Sequence, residues 1–419
     1  MKEETQKVLV IGLVWPEPNA TAAGIRTMQI LQFFIDFGAN VTFVSTASKT
    51  QYTAELEERG VKTSSIELND PSFDEFLETL QPTMVVFDRY LTEEQFGWKV
   101  AKIVPNAMRI VDTQDLHSLR ISREQAFKEG AVFNKDHWFK NDSTKRELAS
   151  IYRSDLSLII SDFEIDWLLE HAPMIEPMIC YFPFLFDTIT ERDQKSWLPF
   201  NERAHFIFIG NGKHRPNTDA ILWLKQSIWP LIRKEIPTAK LAIYGPYFSQ
   251  QIQQLHDSAT GFLIMNWAPD AKVVMASARV NLIPLRTGAG IKGKHFLGLT
   301  CGTPSVTTEI GAEGIYEDKD LLEIALHAED FAKKAIDLYA DKSLWKTAQH
   351  AGIKLLNTRF LKGDLDKKLE HRIKDLQCNL ETHRARNILG GMLLHHTLAS
   401  TKYLSKWIEL KNTVNPNNT

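Results

Sequence analysis

The sequence predicts an α/β protein in which two Rossmann-like, doubly wound domains face a cleft and a helical C-terminal tail follows. Short apolar runs of the kind that form buried parallel strands alternate with segments of helical periodicity. This alternation begins again in the middle of the chain, after a stretch rich in proline and aromatic residues. We therefore expect one domain over residues 1–190, a second over residues 200–357, and the tail over residues 358–419.

Five strands are predicted in the first domain. They cover residues 7–14, 40–45, 83–88, 108–112 and 155–161. The first is a continuous apolar run, as expected for a central parallel strand, and a loop over residues 15–24 follows it. A helix is predicted over residues 25–37, with Gly38 as its C-terminal stop.

The second domain repeats this pattern after a predicted linker over residues 180–203. Its predicted strands cover residues 205–210, 240–244, 261–265, 280–284 and 304–307. A helix is expected over residues 217–224, and from about residue 320 the chain is mostly helical. Ligands of such sheets bind at the carboxyl ends of the strands.

Composition excludes several classes of protein. The 419 residues are 43% hydrophobic and 24% charged, and the net charge of −3 gives no basic field for nucleic acid. Three cysteines, far apart and odd in number, predict neither a disulfide framework nor a zinc site, which fits a cytoplasmic protein. The first apolar run is too short for a signal peptide, and no run approaches the roughly 18 apolar residues of a membrane span.

The most informative stretch covers residues 281–314, NLIPLRTGAGIKGKHFLGLTCGTPSVTTEIGAEG. A buried strand leads into a glycine-rich turn, and a short helix is expected to begin near Ile291. Gly288 and Gly290 allow close approach of the backbone to a ligand, and the free N–H groups of the helix would face the turn. The pattern predicts a diphosphate cradle, although glycine turns between strand and helix also occur without such a ligand.

Two cations, Arg286 and Lys292, lie in the same stretch. The runs P-L-R-T-G-A-G-I-K-G-K, G-T-P-S-V-T-T and G-A-E-G resemble the donor site of retaining, nucleotide-sugar-dependent glycosyltransferases of the GT-B fold, family 4 (glycosyl transferases group 1). The resemblance implies a GT-B fold and catalytic assistance from both cations. It also implies donor contacts at Gly288, Ala289, Gly290 and Ile291.

The sequence departs from this family at Leu297, where most members place a carboxylate that binds the donor ribose. Ala289 likewise occupies the position of an acidic residue near the sugar in the commoner family form. Loss of the ribose contact keeps a second hypothesis open, in which the chain binds a nucleotide sugar or glycan without catalysis.

The opening of the second domain also resembles the family. Gly210 and Gly212 would leave room for the donor pyrophosphate, and Lys213 is either a donor-binding cation or a solvated side chain. Asn217 is expected to cap the helix that follows.

In the first domain, the resemblance places Gly24 under the donor phosphate and sugar and His117 against the donor sugar. Arg26 would reach a phosphate or the acceptor, or remain solvated. Asp115 is a good candidate for a helix N-cap.

Residues 146–168 are assigned to the scaffold. Glu147 and Arg153 are expected to pair across a helix face, and Ser161 and Glu164 to form a capping box.

The tail combines apolar and basic side chains. The apolar residues are Met392, Leu393, Leu394, Leu398, Tyr403, Leu404, Trp407 and Ile408, and the basic ones are Arg384, Arg386, Lys402, Lys406 and Lys411. Three interpretations remain open: a helix packed on its own protein, a helix on a membrane surface, or a patch for a polyanion such as RNA.

The resemblance thus implies transfer of a sugar from a nucleotide diphosphate sugar to an unidentified glycan, lipid-linked or other acceptor, with retention. No cofactor beyond this co-substrate is expected. Since no carboxylate signature for a metal is present, we expect metal-independent activity in which side chains and helix dipoles neutralise the diphosphate. A glycosyltransferase acting on a nucleic acid is the third hypothesis.

Overall fold

The computed structural model describes residues 5–315, 323–325 and 327–395, together with Tyr403 and Trp407. Within these residues it contains two parallel sheets, each flanked by helices, which confirms the predicted fold class. Both sheets show the strand order of a doubly wound fold, in which the order reverses beside the first strand.

In the part of the chain that is described, the first sheet has seven strands in the order β3-β2-β1-β4-β5-β6-β7. They are β1 (Lys7–Gly12), β2 (Asn40–Ser45), β3 (Lys62–Ser65), β4 (Met84–Asp88), β5 (Met108–Asp112), β6 (Leu156–Ile159) and β7 (Ile179–Tyr181). The helices around it are α1 (Ala22–Asp36), α2 (Ser72–Leu80), α3 (Arg89–Ile103), α4 (His117–Lys128), α5 (Lys135–Lys140), α6 (Asp142–Arg153) and α7 (Asp162–His171). Strands β3 and β7 were not predicted, and β7 takes up the beginning of the predicted linker.

The second sheet has six strands in the described ranges, in the order β10-β9-β8-β11-β12-β13. They are β8 (Ala204–Ile209), β9 (Leu241–Tyr244), β10 (Phe262–Asn266), β11 (Ala278–Ile283), β12 (Ser305–Thr308) and β13 (Glu323–Ala325). A short helix α8 (Glu191–Ser196) precedes it, and its helices are α9 (Arg215–Trp223), α10 (Trp229–Glu235), α11 (Gln250–Gln253), α12 (Ala271–Ser277), α13 (Gly293–Thr300), α14 (Glu309–Ala312) and α15 (Ala328–Ala340).

Three further helices bring the chain back to the first sheet: α16 (Lys342–Arg359), α17 (Lys362–Arg386) and α18 (Ile388–Leu394). One face of α17 is buried in the same apolar core as β1 and α1, through Leu365, Leu369, Ile373 and Leu376. Burial of each such side chain stabilises the fold by about 1.5–3 kcal/mol.

Basic residues of the tail also bind the first domain. Arg384 donates to both carboxylate oxygens of Asp155 at 2.7 Å. Helix α17 and Arg384 therefore pack on their own protein, whereas Met392, Tyr403 and Trp407 of the predicted apolar stripe are exposed. Several of the other predicted tail residues lie outside the described residues: Leu398, Lys402, Leu404, Lys406, Ile408 and Lys411. No helix among the described residues is long and apolar enough to cross a membrane.

Candidate active site

A cavity of about 810 Å³ lies between the carboxyl ends of the two sheets and is lined by both domains. Seven predicted site residues line it: His117, Gly210, Lys213, Gly288, Ala289, Ile291 and Lys292. Four others do not contribute to its lining: Gly24, Gly212, Arg286 and Gly290. The cavity is large enough for a ligand of nucleotide-sugar size.

The glycine-rich turn after β11 forms one wall of this cavity. Gly288 and Gly290 have φ values of 141° and 63°, which favour glycine, so the turn depends on both residues. Helix α13 begins at Gly293 with Lys292 at its N-cap, later than the predicted start near Ile291. The predicted donor contact at Gly290 is wrong for its N–H group, which donates to Glu164 Oε1 at 2.7 Å and is not free for a ligand.

Lys292 lines the cavity but is not solvent-facing, since only 8% of it is exposed. Its ammonium donates to the Gly290 carbonyl at 2.7 Å and lies 3.8 Å from Glu313. Burial lowers the pKa of Lys292, while the charge of Glu313 opposes this shift. The predicted cation is therefore present at the cavity wall, where it also holds the turn in shape.

A second lysine of the same segment was missed by the sequence analysis. Lys294 lines the cavity and donates to Asn217 Oδ1 at 2.6 Å. Burial is the main cause that lowers the pKa of Lys294 to about 7, and the neighbouring charge of Lys292 adds to this shift. The second lysine of the G-I-K-G-K run was the signal that could have identified Lys294.

Asn217 is not the helix cap that we predicted, because the N-cap of α9 is His214.

Arg286 was predicted to supply positive charge for the diphosphate, but it does not line the cavity. Its guanidinium binds both carboxylate oxygens of Asp219, at 2.6 and 2.9 Å. It also lies 4.8 Å from the ring centre of Phe127 and 5.1 Å from that of Trp223. A charged partner and two aromatic rings therefore hold this side chain away from the cavity.

Three further predictions for ligand contacts are corrected by packing. A Cβ atom on Gly24 would lie 2.5 Å from the Glu17 backbone, and one on Gly212 would lie 2.5 Å from the Tyr247 carbonyl. Both glycines therefore allow close packing of loops beside the cavity. Arg26 is only 1% exposed, its Nη2 lies 2.6 Å from Asp112 Oδ1, and it does not line the cavity.

His117 lies at the start of α4 and lines the cavity, as predicted. Its Nε2 is 3.1 Å from Asp115 Oδ1, and Arg120 Nε is 2.7 Å from the other carboxylate oxygen. Although burial alone raises the pKa of Asp115, Arg120 and His117 hold it well below its usual range. Asp115 is thus an orienting partner of His117, and the cap position of α4 belongs to Leu116.

Two buried glutamates hold the beginning of α4, and sequence analysis had placed both in the scaffold. Glu147 accepts from the backbone N–H groups of His117 and Ser118, each at 2.9 Å. It does not pair with Arg153, whose guanidinium binds Glu93 instead. The expected interaction across one helix face is therefore wrong.

Glu164 joins the two domains. Its Oε1 accepts from Leu116 N at 2.8 Å and from Gly290 N at 2.7 Å, and the residue is fully buried. Burial raises the pKa of Glu164 to about 8, and Asp115 adds to the shift. The predicted capping box is wrong, because the Ser161 side chain makes no capping hydrogen bond to α7.

Aromatic residues of the second domain contact loops of the first domain beside the cavity. Tyr247 Oη donates to Glu17 at 3.2 Å, and Trp267 Nε1 donates to the Asn19 carbonyl at 3.1 Å. The ammonium of Lys213 lies 3.9 Å from the ring centre of Tyr247. Lys213 thus lines the cavity while stacked on an aromatic ring.

Leu297 is half-buried and lines the cavity. Like Ile209 and Tyr244, it packs against a small apolar cluster of the second domain. The position that carries a ribose-binding carboxylate in the resembled family therefore faces the cavity. Among the residues described, no group of three or more His, Cys, Asp or Glu side chains is placed to hold a metal ion.

Comparison with known proteins agrees with this architecture. Residues 203–341 match the profile of the glycosyl transferases group 1 family. A curated relative, an uncharacterized 44.6 kDa protein in the cps region of Klebsiella pneumoniae, is 25% identical over 203 residues, which are 44% of this chain and 48% of the relative. The chain therefore spans about half the length of this curated relative.

Two solved structures are similar over most of the chain. Sucrose-phosphate synthase from Thermosynechococcus elongatus has a TM-score of 0.65 at 15% identity, and the match covers 88% of this chain and 99% of the synthase chain. Anabaena Alr3699/HepE in complex with UDP and glucose has a TM-score of 0.65 at 12% identity, and the match covers 88% of this chain and 100% of Alr3699/HepE. The chain thus has the GT-B fold, and residues 203–341 within it are similar to the glycosyl transferases group 1 family.

Proposed function

We propose that this protein transfers a sugar from a nucleotide diphosphate sugar to an acceptor hydroxyl, with retention of configuration. The observation that carries the proposal is the convergence of Lys292, Lys294 and the beginning of α13 on one cavity wall, within the matched domain. Two cations and the positive end of a helix dipole favour a diphosphate. Similar structures include complexes of Alr3699/HepE with UDP and with UDP-glucose, which supports this class of ligand.

In the proposed reaction, the bond between the anomeric carbon and the diphosphate oxygen breaks, and the acceptor oxygen forms a new bond to that carbon on the same face. The acceptor proton passes to the departing diphosphate. Lys292 and Lys294 would stabilise the negative charge that develops on this leaving group. His117, held by Asp115 and by the Glu147 carboxylate, would contact the donor sugar.

The reaction is proposed to require no metal ion and no cofactor besides the nucleotide sugar, because the lysines and α13 supply positive charge. We further propose a cytoplasmic protein whose tail contacts a membrane surface or a polyanion. A nucleic acid acceptor would make binding strongly dependent on salt concentration.

A donor screen tests this function directly. The protein is titrated calorimetrically with UDP, GDP and ADP, and the corresponding sugars are then screened for hydrolysis and transfer in the presence of EDTA. We expect binding of one nucleoside diphosphate and release of it from its sugar, unaffected by EDTA. Failure of all three nucleotides to bind would refute the proposal, and a requirement for Mn²⁺ or Mg²⁺ would refute the metal-independent mechanism.

Leu297 favours a second candidate function, a non-catalytic nucleotide-sugar or glycan-binding protein. An apolar side chain at this wall gives a ribose hydroxyl no acceptor. Nucleotide binding without turnover of any donor would support this alternative over catalysis.

A further inference from the structure

The first domain brings to the cavity an arginine that the proposed donor chemistry does not use. Arg89 directly follows β4, begins α3 and lines the cavity near Leu13 and Gln114. Its φ is 72°, a left-handed conformation that is unfavourable for a residue other than glycine. Such conformations concentrate at functional sites, and this one lies at the carboxyl edge of a central strand.

Arg89 is anchored at only one edge of its guanidinium group. Its Nη1 lies 3.2 Å from Asp88 Oδ2, and the same carboxylate oxygen accepts the Leu13 N–H at 3.2 Å. Asp88 is buried behind the cavity wall. Within the described part of the chain, the other N–H groups of the Arg89 side chain make no hydrogen bond. Since an arginine has five such donors in a planar fork, most remain available for a ligand.

The charge of the cavity is larger than a diphosphate needs. Among the described residues, six cationic and two acidic side chains line it, namely Arg89, Arg120, Lys213, Lys272, Lys292 and Lys294 against Asp115 and Asp270. The four lysines all belong to the second domain, where the donor would bind. In the first domain, Arg120 is already paired with Asp115. Arg89 is also paired, with Asp88, but this carboxylate does not line the cavity, so Arg89 is the cation of the first domain whose partner lies outside the cavity.

We propose that Arg89 binds a carboxylate or phosphate group of the acceptor, so that the acceptor is an anionic molecule. This inference rests on the proposed function and adds the chemical class of the second substrate. A guanidinium group binds either anion through two parallel hydrogen bonds. The ring centres of Tyr90, the residue after Arg89, and of His117 are 5.7 Å apart, and Arg89 and His117 both line the cavity. An acceptor bound by Arg89 would therefore lie beside the proposed sugar contact.

The test uses matched charged and neutral probes with the full-length protein, saturated with the nucleoside diphosphate that it binds. Methyl β-D-glucuronide is compared with methyl β-D-glucoside, and glucose 6-phosphate with glucose. We expect a charged probe to bind the wild type at least tenfold more tightly than its neutral partner. The two pairs distinguish a carboxylate from a phosphate.

The variant Arg89→Gln should abolish this preference, and Arg89→Lys should retain part of it. Arg59→Gln, a change at an exposed arginine outside the cavity, serves as the control. Affinity for the nucleoside diphosphate should be unchanged in all three variants, which separates loss of the acceptor contact from loss of the fold.

Equal binding of charged and neutral probes by the nucleotide-bound wild type would overturn the proposal, as would an unchanged preference in Arg89→Gln. A preference for UDP-glucuronate over UDP-glucose that depends on Arg89 would also overturn it, because the anion would then belong to the donor. If the wild type binds no nucleoside diphosphate, the proposed function fails first and the acceptor assignment fails with it.

Discussion

Removal of the carboxylate of Glu164 tests how the glycine-rich turn after β11 is held. Glu164→Leu would leave the N–H groups of Leu116 and Gly290 without their acceptor, and both bonds are buried. A buried N–H group without a partner costs about 1–3 kcal/mol, so we expect a loss of about 2–6 kcal/mol in the free energy of unfolding. That is a large fraction of the roughly 5–15 kcal/mol that stabilises a typical domain.

Glu164→Gln separates the hydrogen bonds from the charge. Its side-chain carbonyl can still accept from both N–H groups, and we expect a loss below about 1 kcal/mol at pH 7. The variant should also change the pH dependence of stability. Burial, together with Asp115 and Glu147, raises the pKa of Glu164 from 4.5 to about 8, while Lys292 and the Leu116 N–H oppose the shift.

The folded protein therefore binds more protons than the unfolded chain between about pH 4.5 and pH 8. Stability contributed by protonated Glu164 is complete below this window and is lost as the pH rises through it. Glu164→Gln should lack this loss. Urea unfolding between pH 5 and pH 8.5 measures both effects, with Glu170→Leu, an exposed position on α7, as the control. Wild-type stability in Glu164→Leu, or an unchanged pH slope in Glu164→Gln, would refute the reasoning.

Three further predictions concern the cavity wall formed by the glycine-rich turn and α13. Lys292→Ala should lower the transfer rate by about 10²-fold or more, the scale of one lost charge-stabilising donor, whereas Arg286→Ala should have little effect on kcat because Asp219 holds that side chain outside the cavity. The pKa of Lys294 is about 7, and a bound anion would raise it. Calorimetry should therefore show proton uptake on nucleotide binding and a weaker affinity as the pH rises above 7. Lys294→Gln should show neither effect. Leu297→Glu should tighten nucleotide binding by about 1–2 kcal/mol, and a lower melting temperature without gain in affinity would contradict the ribose assignment.

Much of the fold could be predicted because buried parallel strands leave a strong local signal. β1 and β4 are apolar over most of their length, β5 has three apolar residues in five, and each was placed within a few residues. The missed strand β3 reads KTSS and carries no apolar residue, so it has no such signal. Its position in the sheet depends on pairing with β2, which is a tertiary interaction.

The site was predicted less completely, because a motif indicates which groups lie near a possible ligand but not which of them are already bonded to other residues. Gly290 offers its N–H to Glu164, a residue 126 positions away. Arg286 binds Asp219 over a separation of 67 positions. The local pattern around Gly290 and Arg286 is the same whether or not these partners exist. Carboxylates far away in the sequence, Glu164 and Asp219, therefore determine that Gly290 and Arg286 are already bonded within the protein.

Glu164 and Arg123 connect the glycine-rich turn to the opposite domain. Arg123 of α4 donates to the Gly288 carbonyl at 2.8 Å and binds Glu313 at 2.7 Å, while Glu164 of α7 accepts from Gly290. A Cβ atom on Gly290 would lie 2.8 Å from that of Asp115, so the turn and the first domain are in direct contact. Both glycines that define the shape of the turn are thus held by side chains of the first domain. The geometry that a diphosphate would meet is consequently a property of the two-domain arrangement and not of the glycine motif alone.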